Sequence, residues 1–503
     1  MRVVLFLSVL LIAACGLIYE LVASALASYL LGDSVLQFST VIGTYLFAMG
    51  IGSWLSRYLT RGLVAQFVAI ELLVGLVGGF SSALLFLAFA YTGAFRLALY
   101  AIVVVVGVLV GLEIPLLMRI LRDRYSFKDV VANVLTFDYL GALAASLAFP
   151  ILLVPRLGLV RSAMLFGIVN AAIALWSTWL FAPLLARHTL PALRTGCVVV
   201  LALLATGMTQ ARRLTSFAED GIYADEVIFS RDTRYQHIVL TAWKDDLRLF
   251  LNSHLQFSSR DEYRYHEALV HPGLAALPGA RRVLVLGGGD GLAVREILRY
   301  PSVEHVTLVD LDPEMTGLFS THPLLTQLNA QSLRSPRVRV VNADAFVWLD
   351  ANPDVFDFIV VDFPDPNNYG VGKLYTTAFY RLLSKHLGRF GLAVVQSTSP
   401  LFARRSFWSI DETLREAGLA TRPYHVYVPS FGEWGFILAG ADGMTAYAPP
   451  GALPAGLRFL TTSELASMFD FPRDMQRLAA QANHLNDQVL VRYYAEEVDR
   501  INR

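Results

Sequence analysis

A chain of 503 residues is too long for one ordinary core, and at roughly 150 residues per domain it divides into two or three units. At 55% hydrophobic and only 16% charged it is too apolar for a soluble enzyme of this size. Lys+Arg and Asp+Glu each number 41, which leaves no basic excess for a nucleic-acid partner, and two cysteines exclude a disulfide framework.

The first part of the chain runs as apolar tracts of about 20 residues or more, the length that spans a bilayer. In chain order these are Val3 to Leu31, Gln37 to Tyr58, Val64 to Tyr91, Leu97 to Met118, Leu135 to Val154, Ser162 to Leu185 and Thr195 to Gln210. They predict a multi-pass helical domain over residues 1–210, in contact with the lipid bilayer of the cell membrane. Cys15 follows Leu11-Ile12-Ala13-Ala14, a pattern that a lipoprotein cleavage box also shows. The apolar run continues well past Cys15, which argues against cleavage there.

Arg57, Arg61, Arg119, Arg122, Arg124, Lys128, Arg187 and Arg194 fall in or beside the even-numbered loops. The odd-numbered loops hold Arg96, Arg156 and Arg161. The positive-inside rule then puts the N-terminus in the cytoplasm, and seven spans leave the rest of the chain outside. The expectation is nonetheless a cytoplasmic C-terminal domain, against the loop charges. Glu20, Glu71, Glu113 and Asp138 lie within the apolar tracts. Carboxylates at that depth mark either a polar pathway or a partnered structural site.

Beyond Ser216 the texture changes to strands, turns and amphipathic helices. Arg281 to Leu286 predicts a strand, followed by the turn Gly287-Gly288-Gly289-Asp290-Gly291 and a helix, the element that brings backbone close to a nucleotide. The next strand, His305 to Val309, ends in Asp310-Leu311-Asp312, roughly 20 residues on, where such folds hold a ribose hydroxyl. Val338 to Val341 leads into Asn342-Ala343-Asp344-Ala345, in reach of an adenine, and Phe358 to Val361 leads into Asp362-Phe363-Pro364-Asp365-Pro366. Acids at successive strand ends suit a cationic ligand, and the GGGDG spacing departs from the G-x-G-x-x-G of dinucleotide sites.

These segments, VLVLGGGDGLAVREILRYPSVEHVTLVDLD, NADAFVWL, FDFIVVDFPDP and KLYTTAFYRLLSKHLGRFGLAVVQ, resemble in order and spacing the aminopropyltransferases of the spermidine synthase family. Tyr235-Gln236 before HIVL is similar to the family's small N-terminal β-domain, and Asp261 to Glu267 is similar to its DE-x-x-YHE stretch. The apolar spans resemble its membrane-anchored multi-pass branch. The resemblance implies a small β-rich domain over 216–275, a Rossmann-like, methyltransferase-type α/β domain over 276–450 and a helical tail over 451–503. It implies transfer of an aminopropyl group from decarboxylated S-adenosylmethionine, a co-substrate, to putrescine, giving spermidine and methylthioadenosine. No metal or other cofactor is expected, and a homo-oligomer is.

Residue by residue, the resemblance makes Asp362 the catalytic acid that takes the proton of the attacking amine. Gln236, Asp310, Asp344 and Ala345 match positions that hold the thioadenosine. His266 and Asp290 match positions facing the polyamine or aminopropyl chain, Asp365 the second amine-binding acid, and Tyr265 a pocket wall. Structural alternatives stand beside these: Asp362 and Asp365 as loop caps, His266 as a surface histidine, Asp344 as a helix N-cap. The chain departs from the family pattern at Phe363-Pro364, at Asn252-Ser253 in place of Asp-Gly, and at VPSFGEWGF, which lacks an expected tyrosine and carries Trp434. A methyltransferase using S-adenosylmethionine itself and a membrane polyamine transporter or sensor with a binding-only C-terminal domain are the competing readings.

Overall fold

The structure, a computed structural model, describes residues 2–31, 34–92, 94–122, 126–223, 225–441 and 447–501. Arg124 therefore lies outside the described residues. The chain divides into two units, Met1–Gln236 and His237–Arg503.

Helix-favouring Leu, Ala and Phe, with almost no internal charge, build seven long helices among the described residues of the first unit. They are α1 (Arg2–Leu31), α2 (Ser34–Leu55), α3 (Leu63–Tyr91), α4 (Phe95–Leu121), α5 (Phe127–Ala148), α6 (Val154–Leu180) and α7 (Leu190–Ile222). Ser126 caps α5 by accepting the Asp129 N–H. Small residues let the helices approach backbone to backbone. A Cβ on Gly111 of α4 would lie 2.1 Å from the Met49 carbonyl of α2, and one on Gly167 of α6 would lie 2.6 Å from the Gly75 carbonyl of α3.

Among the described residues six helical stretches are long and apolar enough to cross a membrane, counting Lys128–Leu180 as one stretch of 53 residues. At 1.5 Å per residue that stretch is about 80 Å long, far beyond the ~30 Å hydrocarbon core. It is broken in the middle: Phe149–Leu153 widens to a π-turn at Pro150, and Gly158 takes φ 72° within α6. Ala145, Phe149, Leu153 and Ala163 all pack with Ala14, Ile18 and Val22 of α1. Beyond the change of texture at Ser216, α7 continues to Ile222, and strand β1 (Glu226–Asp232) comes next.

Buried deep in this unit are Glu71 and Glu113. Both oxygens of Glu71, one of Glu113, the Tyr19 hydroxyl and the Asn170 amide have no hydrogen-bond partner.

The second unit opens with an antiparallel meander, β2 (His237–Trp243), β3 (Asp246–Leu251) and β4 (His254–Ser258). Asn252 and Ser253 both have positive φ, 49° and 66°, at the β3–β4 turn. The departure from Asp-Gly thus keeps the left-handed turn that pairs such strands. Asn252 accepts the His237 N–H through its side chain and donates its own N–H to the His237 carbonyl.

A seven-stranded sheet comes after it, built from β5 (Arg282–Gly287), β6 (His305–Asp310), β7 (Val338–Asn342), β8 (Phe356–Asp362), β9 (Leu387–Gln396), β10 (Ala420–Val428) and β11 (Gly432–Gly440). Its order is β10-β11-β9-β8-β5-β6-β7. Strands β5 to β9 run parallel, β11 runs antiparallel to β9, and β10 runs antiparallel to β11. The first strand of the sheet lies centrally between β6 and β8, so chain direction reverses there and opens a crevice at the strand ends. Inward residues of β5, β8 and β9 (Leu284, Leu286, Ile359, Val361, Ala393, Val395) form the core with Phe379, Tyr380 and Phe407.

Among the described residues the expected helical tail is helical over Thr462–Ser467 and Val489–Ile501. The rest is a strap, because its backbone finds partners on the domain instead of within itself. Glu267 accepts the N–H groups of Arg458, Phe459 and Leu460. Further along, the Met475 carbonyl accepts from Trp408 Nε1 and the Gln481 carbonyl from Ser409 Oγ.

Candidate active site

Sheet register puts the strand-end acids side by side. Asp310 of β6 lies opposite Asn342 of β7, and Asp362 of β8 lies opposite Gly287 of β5. The glycine turn threads between them. Gly287 has φ 81°, and a Cβ there would sit 2.2 Å from the Asp362 carbonyl. The Gly289 N–H donates to Asp310 Oδ2 at 3.1 Å, and the Asp312 N–H donates to Asp310 Oδ1 at 2.9 Å. Burial, with the neighbouring Asp312 and Asp290 carboxylates adding to it, pushes Asp310 up to about 6.

Helix α8 (Glu262–Leu274) brings up the other wall. Tyr265 donates its hydroxyl to Asp362 Oδ1 at 2.6 Å. His266 is buried, and its Nδ1 lies 2.8 Å from the Glu262 carbonyl and 2.9 Å from Glu262 Oε2. Since both are acceptors, that nitrogen carries the hydrogen. Burial opposes the imidazolium, but the Glu262 bond and the Asp290 and Asp362 carboxylates lift His266 above its ordinary value. Arg295 clamps Glu262 with two 2.9 Å bonds and fixes the arrangement from behind.

Asp290 is buried and accepts the Leu292 N–H at 2.8 Å, so it also starts helix α9 (Leu292–Ile297). Asp362 is pushed up to about 6 by burial first and by the Asp290 carboxylate second, while His266 and the Tyr265 hydroxyl pull it back down. Three residues on, Asp365 accepts the Tyr494 hydroxyl at 2.7 Å and Gln396 Nε2 at 3.2 Å. Burial raises Asp365 above the usual carboxylate value in spite of these two bonds. Gln396 and the buried Tyr375 hydroxyl also bond the Phe363 carbonyl, so the irregular Phe363-Pro364 link is held rigid from β9.

The second unit therefore gathers Asp310, Asp290, His266, Tyr265, Asp362 and Asp365 around one crevice. Asp344 stands further along the edge, capping the helix Ala345–Ala351 through Phe346 and Val347 N–H and pairing with Lys373 Nζ at 2.5 Å. Ala345 is buried at the first position of that helix. Gln236 is the last residue of the first unit, and its carbonyl accepts from the Thr233 N–H.

Of DE-x-x-YHE, only Tyr265 and His266 are bound into the acid row. Asp261 holds Ser430 and Glu267 holds the strap. Sequence reasoning missed Gln396, Tyr375 and Tyr494, whose partners lie far away in the chain. No Lys or Arg forms an ion pair with Asp290, Asp362 or Asp365 among the described residues, and His266 is the cationic group that faces Asp290 and Asp362.

Sheet order, glycine turn and acid row define an α/β transferase of the methyltransferase type. Residues 262–448 match the Spermine/spermidine synthase domain family. The chain is 52% identical over 501 residues to a polyamine aminopropyltransferase of Leptospira interrogans, covering 100% of both chains. It is 58% identical over 498 residues to polyamine aminopropyltransferase 2 of Ralstonia nicotianae, covering 98% of each. The crystal structure of spermidine synthase from Thermotoga maritima aligns with a TM-score of 0.44 at 24% identity, over 49% of this chain and 84% of that one. The chain belongs to the polyamine aminopropyltransferase family.

Proposed function

We propose that the second unit transfers the aminopropyl group of decarboxylated S-adenosylmethionine to putrescine, forming spermidine and methylthioadenosine. The observation that carries this is the row Asp290, Asp362, Asp365, three acids at a nucleoside-type crevice that outnumber the His266 imidazole facing them and form no ion pair with a Lys or Arg among the described residues. Asp310 takes the ribose hydroxyls, with Asp344 and Ala345 beside the base. Asp290 and His266 face the aminopropyl chain, and Asp365 holds the distal ammonium of the acceptor.

An alkylammonium has no lone pair, so one amine must be deprotonated before it attacks. Asp362 accepts that proton, with Tyr265 keeping the carboxylate aimed. The new C–N bond forms as the C–S bond of the sulfonium breaks, and sulfur keeps the electron pair. The sulfonium is already a reactive leaving group, so alignment and one proton transfer supply the catalysis, and neither metal nor cofactor is called for.

The test is turnover of the detergent-solubilised chain with putrescine and decarboxylated S-adenosylmethionine, read by mass spectrometry. Spermidine with methylthioadenosine supports the reading, and methylated product from S-adenosylmethionine overturns it. Gly289→Ala is expected to raise the dissociation constant of methylthioadenosine about tenfold, since the new Cβ would fall 2.6 Å from Asp310 Oδ2. Calorimetric titration checks it.

The helical unit is proposed to span the cell membrane, supported by stretches of sufficient length and by glycine-mediated helix contacts common in bilayers. The catalytic unit is placed in the cytoplasm, where its substrates are made. One observation favours a second reading, a polyamine-binding role for the helical unit: Glu71 and Glu113 are buried with unpartnered oxygens. On that reading Glu71→Gln lowers spermidine binding by the solubilised chain about tenfold without changing turnover, as measured by equilibrium dialysis.

A further inference from the structure

The helix Val489–Ile501 follows the strap and presents Tyr494 to the acid row. It is anchored firmly. Leu490 belongs to the main core of the sheet. The buried Tyr493 bonds Gln481 through its hydroxyl, and the guanidinium of Arg405 lies 3.7 Å above its ring. Glu497 accepts the Arg405 and Ser406 N–H groups and the Ser406 hydroxyl. At the helix start, Asn483 accepts the Leu490 N–H and donates to the Gly372 and Tyr375 carbonyls. Tyr494 is thus held by a rigid element, and its hydroxyl donates to Asp365 Oδ2 at 2.7 Å.

Asp365 has neutral donors, Tyr494 on Oδ2 and Gln396 on Oδ1, with the Thr398 side chain as a third. Neutral donors orient a carboxylate and leave its charge for a ligand, whereas a lysine or arginine would cancel it. Three residues before it, Asp362 is occupied on Oδ1 by Tyr265. The acceptor amine therefore meets Asp362 at its reacting nitrogen and Asp365 at its distal one. Tyr494 stands against the second acid. The VPSFGEWGF segment, where the family pattern leads one to expect a tyrosine, instead supplies Trp434, whose ring centroid lies 6.5 Å from that of Tyr265.

We propose that Tyr494 closes the acceptor end of the crevice and sets the length of amine accepted, restricting the site to short primary diamines. The inference rests on the aminopropyl-transfer reading. A longer diamine, or a triamine, would carry its far ammonium past Asp365 into the space the phenol ring fills. The ring acts as a stop and its hydroxyl as an aim for Asp365. The phenol touches neither donor nor reacting atoms, so Tyr494 is a specificity and positioning residue.

The experiment compares wild type, Tyr494→Ala and Tyr494→Phe with putrescine, 1,5-diaminopentane and spermidine as acceptors, at saturating decarboxylated S-adenosylmethionine. In Tyr494→Ala the kcat/KM ratio of the longer amines to putrescine is expected to rise at least about tenfold. In Tyr494→Phe the ring remains, so acceptor choice stays as in wild type, while KM for putrescine rises about tenfold with kcat and donor KM unchanged. An unchanged acceptor ratio in a Tyr494→Ala protein that unfolds at the wild-type temperature overturns the proposal. Should that variant fold poorly, Tyr494→Phe decides alone: a fall in kcat or a rise in donor KM equal to that of putrescine KM overturns it. Wild type inactive with every acceptor would instead sink the aminopropyl-transfer reading.

Discussion

Asp362→Asn lowers kcat by about 10²- to 10⁴-fold, the usual worth of a positioned general base, and leaves methylthioadenosine affinity within about twofold of wild type. The amide keeps the shape that Tyr265 and the glycine turn are built around but accepts no proton from an ammonium. Stability offers an independent readout. Asp362 titrates at about 6 in the fold against an ordinary value of 3.8, so the folded chain holds its proton more tightly than the unfolded one. Folding stability therefore declines as pH rises from about 4 to 6, and the whole penalty is present above that window. Asparagine has no charge to bury, so the variant is expected to melt at or above the wild-type temperature near neutral pH. A variant that loses activity and melts well below wild type would show that Asp362 holds the fold together and does not act as the base.

The pH profile carries the second large effect. The base must be ionised, so kcat/KM should fall as pH drops through about 6 and level off above it. The position of that limb is set by named neighbours with opposite signs. Asp290 adds negative charge and raises Asp362, so Asp290→Asn moves the limb to lower pH. Tyr265 stabilises the carboxylate by its hydrogen bond, so Tyr265→Phe moves the limb to higher pH. Steady-state kinetics with the three proteins, from about two pH units below neutral to two above, decide it. Shifts in the same direction for both variants would remove Asp362 from the titration.

Whether a feature was legible in the sequence depended on whether its signal was local. Strands β5, β6, β7 and β8 begin and end within a residue or two of the apolar runs that predict them, and β5 and β8, buried inside the sheet, read as unbroken apolar runs. Acids directly after such runs land on one edge by topology alone, and Asp310 and Asp362 do so. Asp344 shows the limit of that logic. Its position is as expected, yet its side chain caps a helix and pairs with Lys373, and the pairing is revealed by neither the spacing nor the strand pattern. Within DE-x-x-YHE the residue types alone do not separate Tyr265 and His266 from the anchoring acids Asp261 and Glu267. The distinction lies in what arrives from Ser430 and from Arg458 to Leu460. The tail mixes acids and arginines as a surface helix would, and only its contacts with the sheet domain show that most of it is a strap.

The position of that strap in the chain has a consequence for biogenesis. Asp365 and Tyr494 are separated by 129 residues, so the acid is made well before the side chain that meets it. At elongation rates of roughly 5 to 20 residues per second, the rest of the acid row waits about 6 to 26 s on the ribosome for its final side chain. The apolar helices, by contrast, are made long before then. A nascent chain thus stays incomplete at its acceptor end until Tyr494 has been added, and a truncation that removed the segment bearing it would leave the site unfinished.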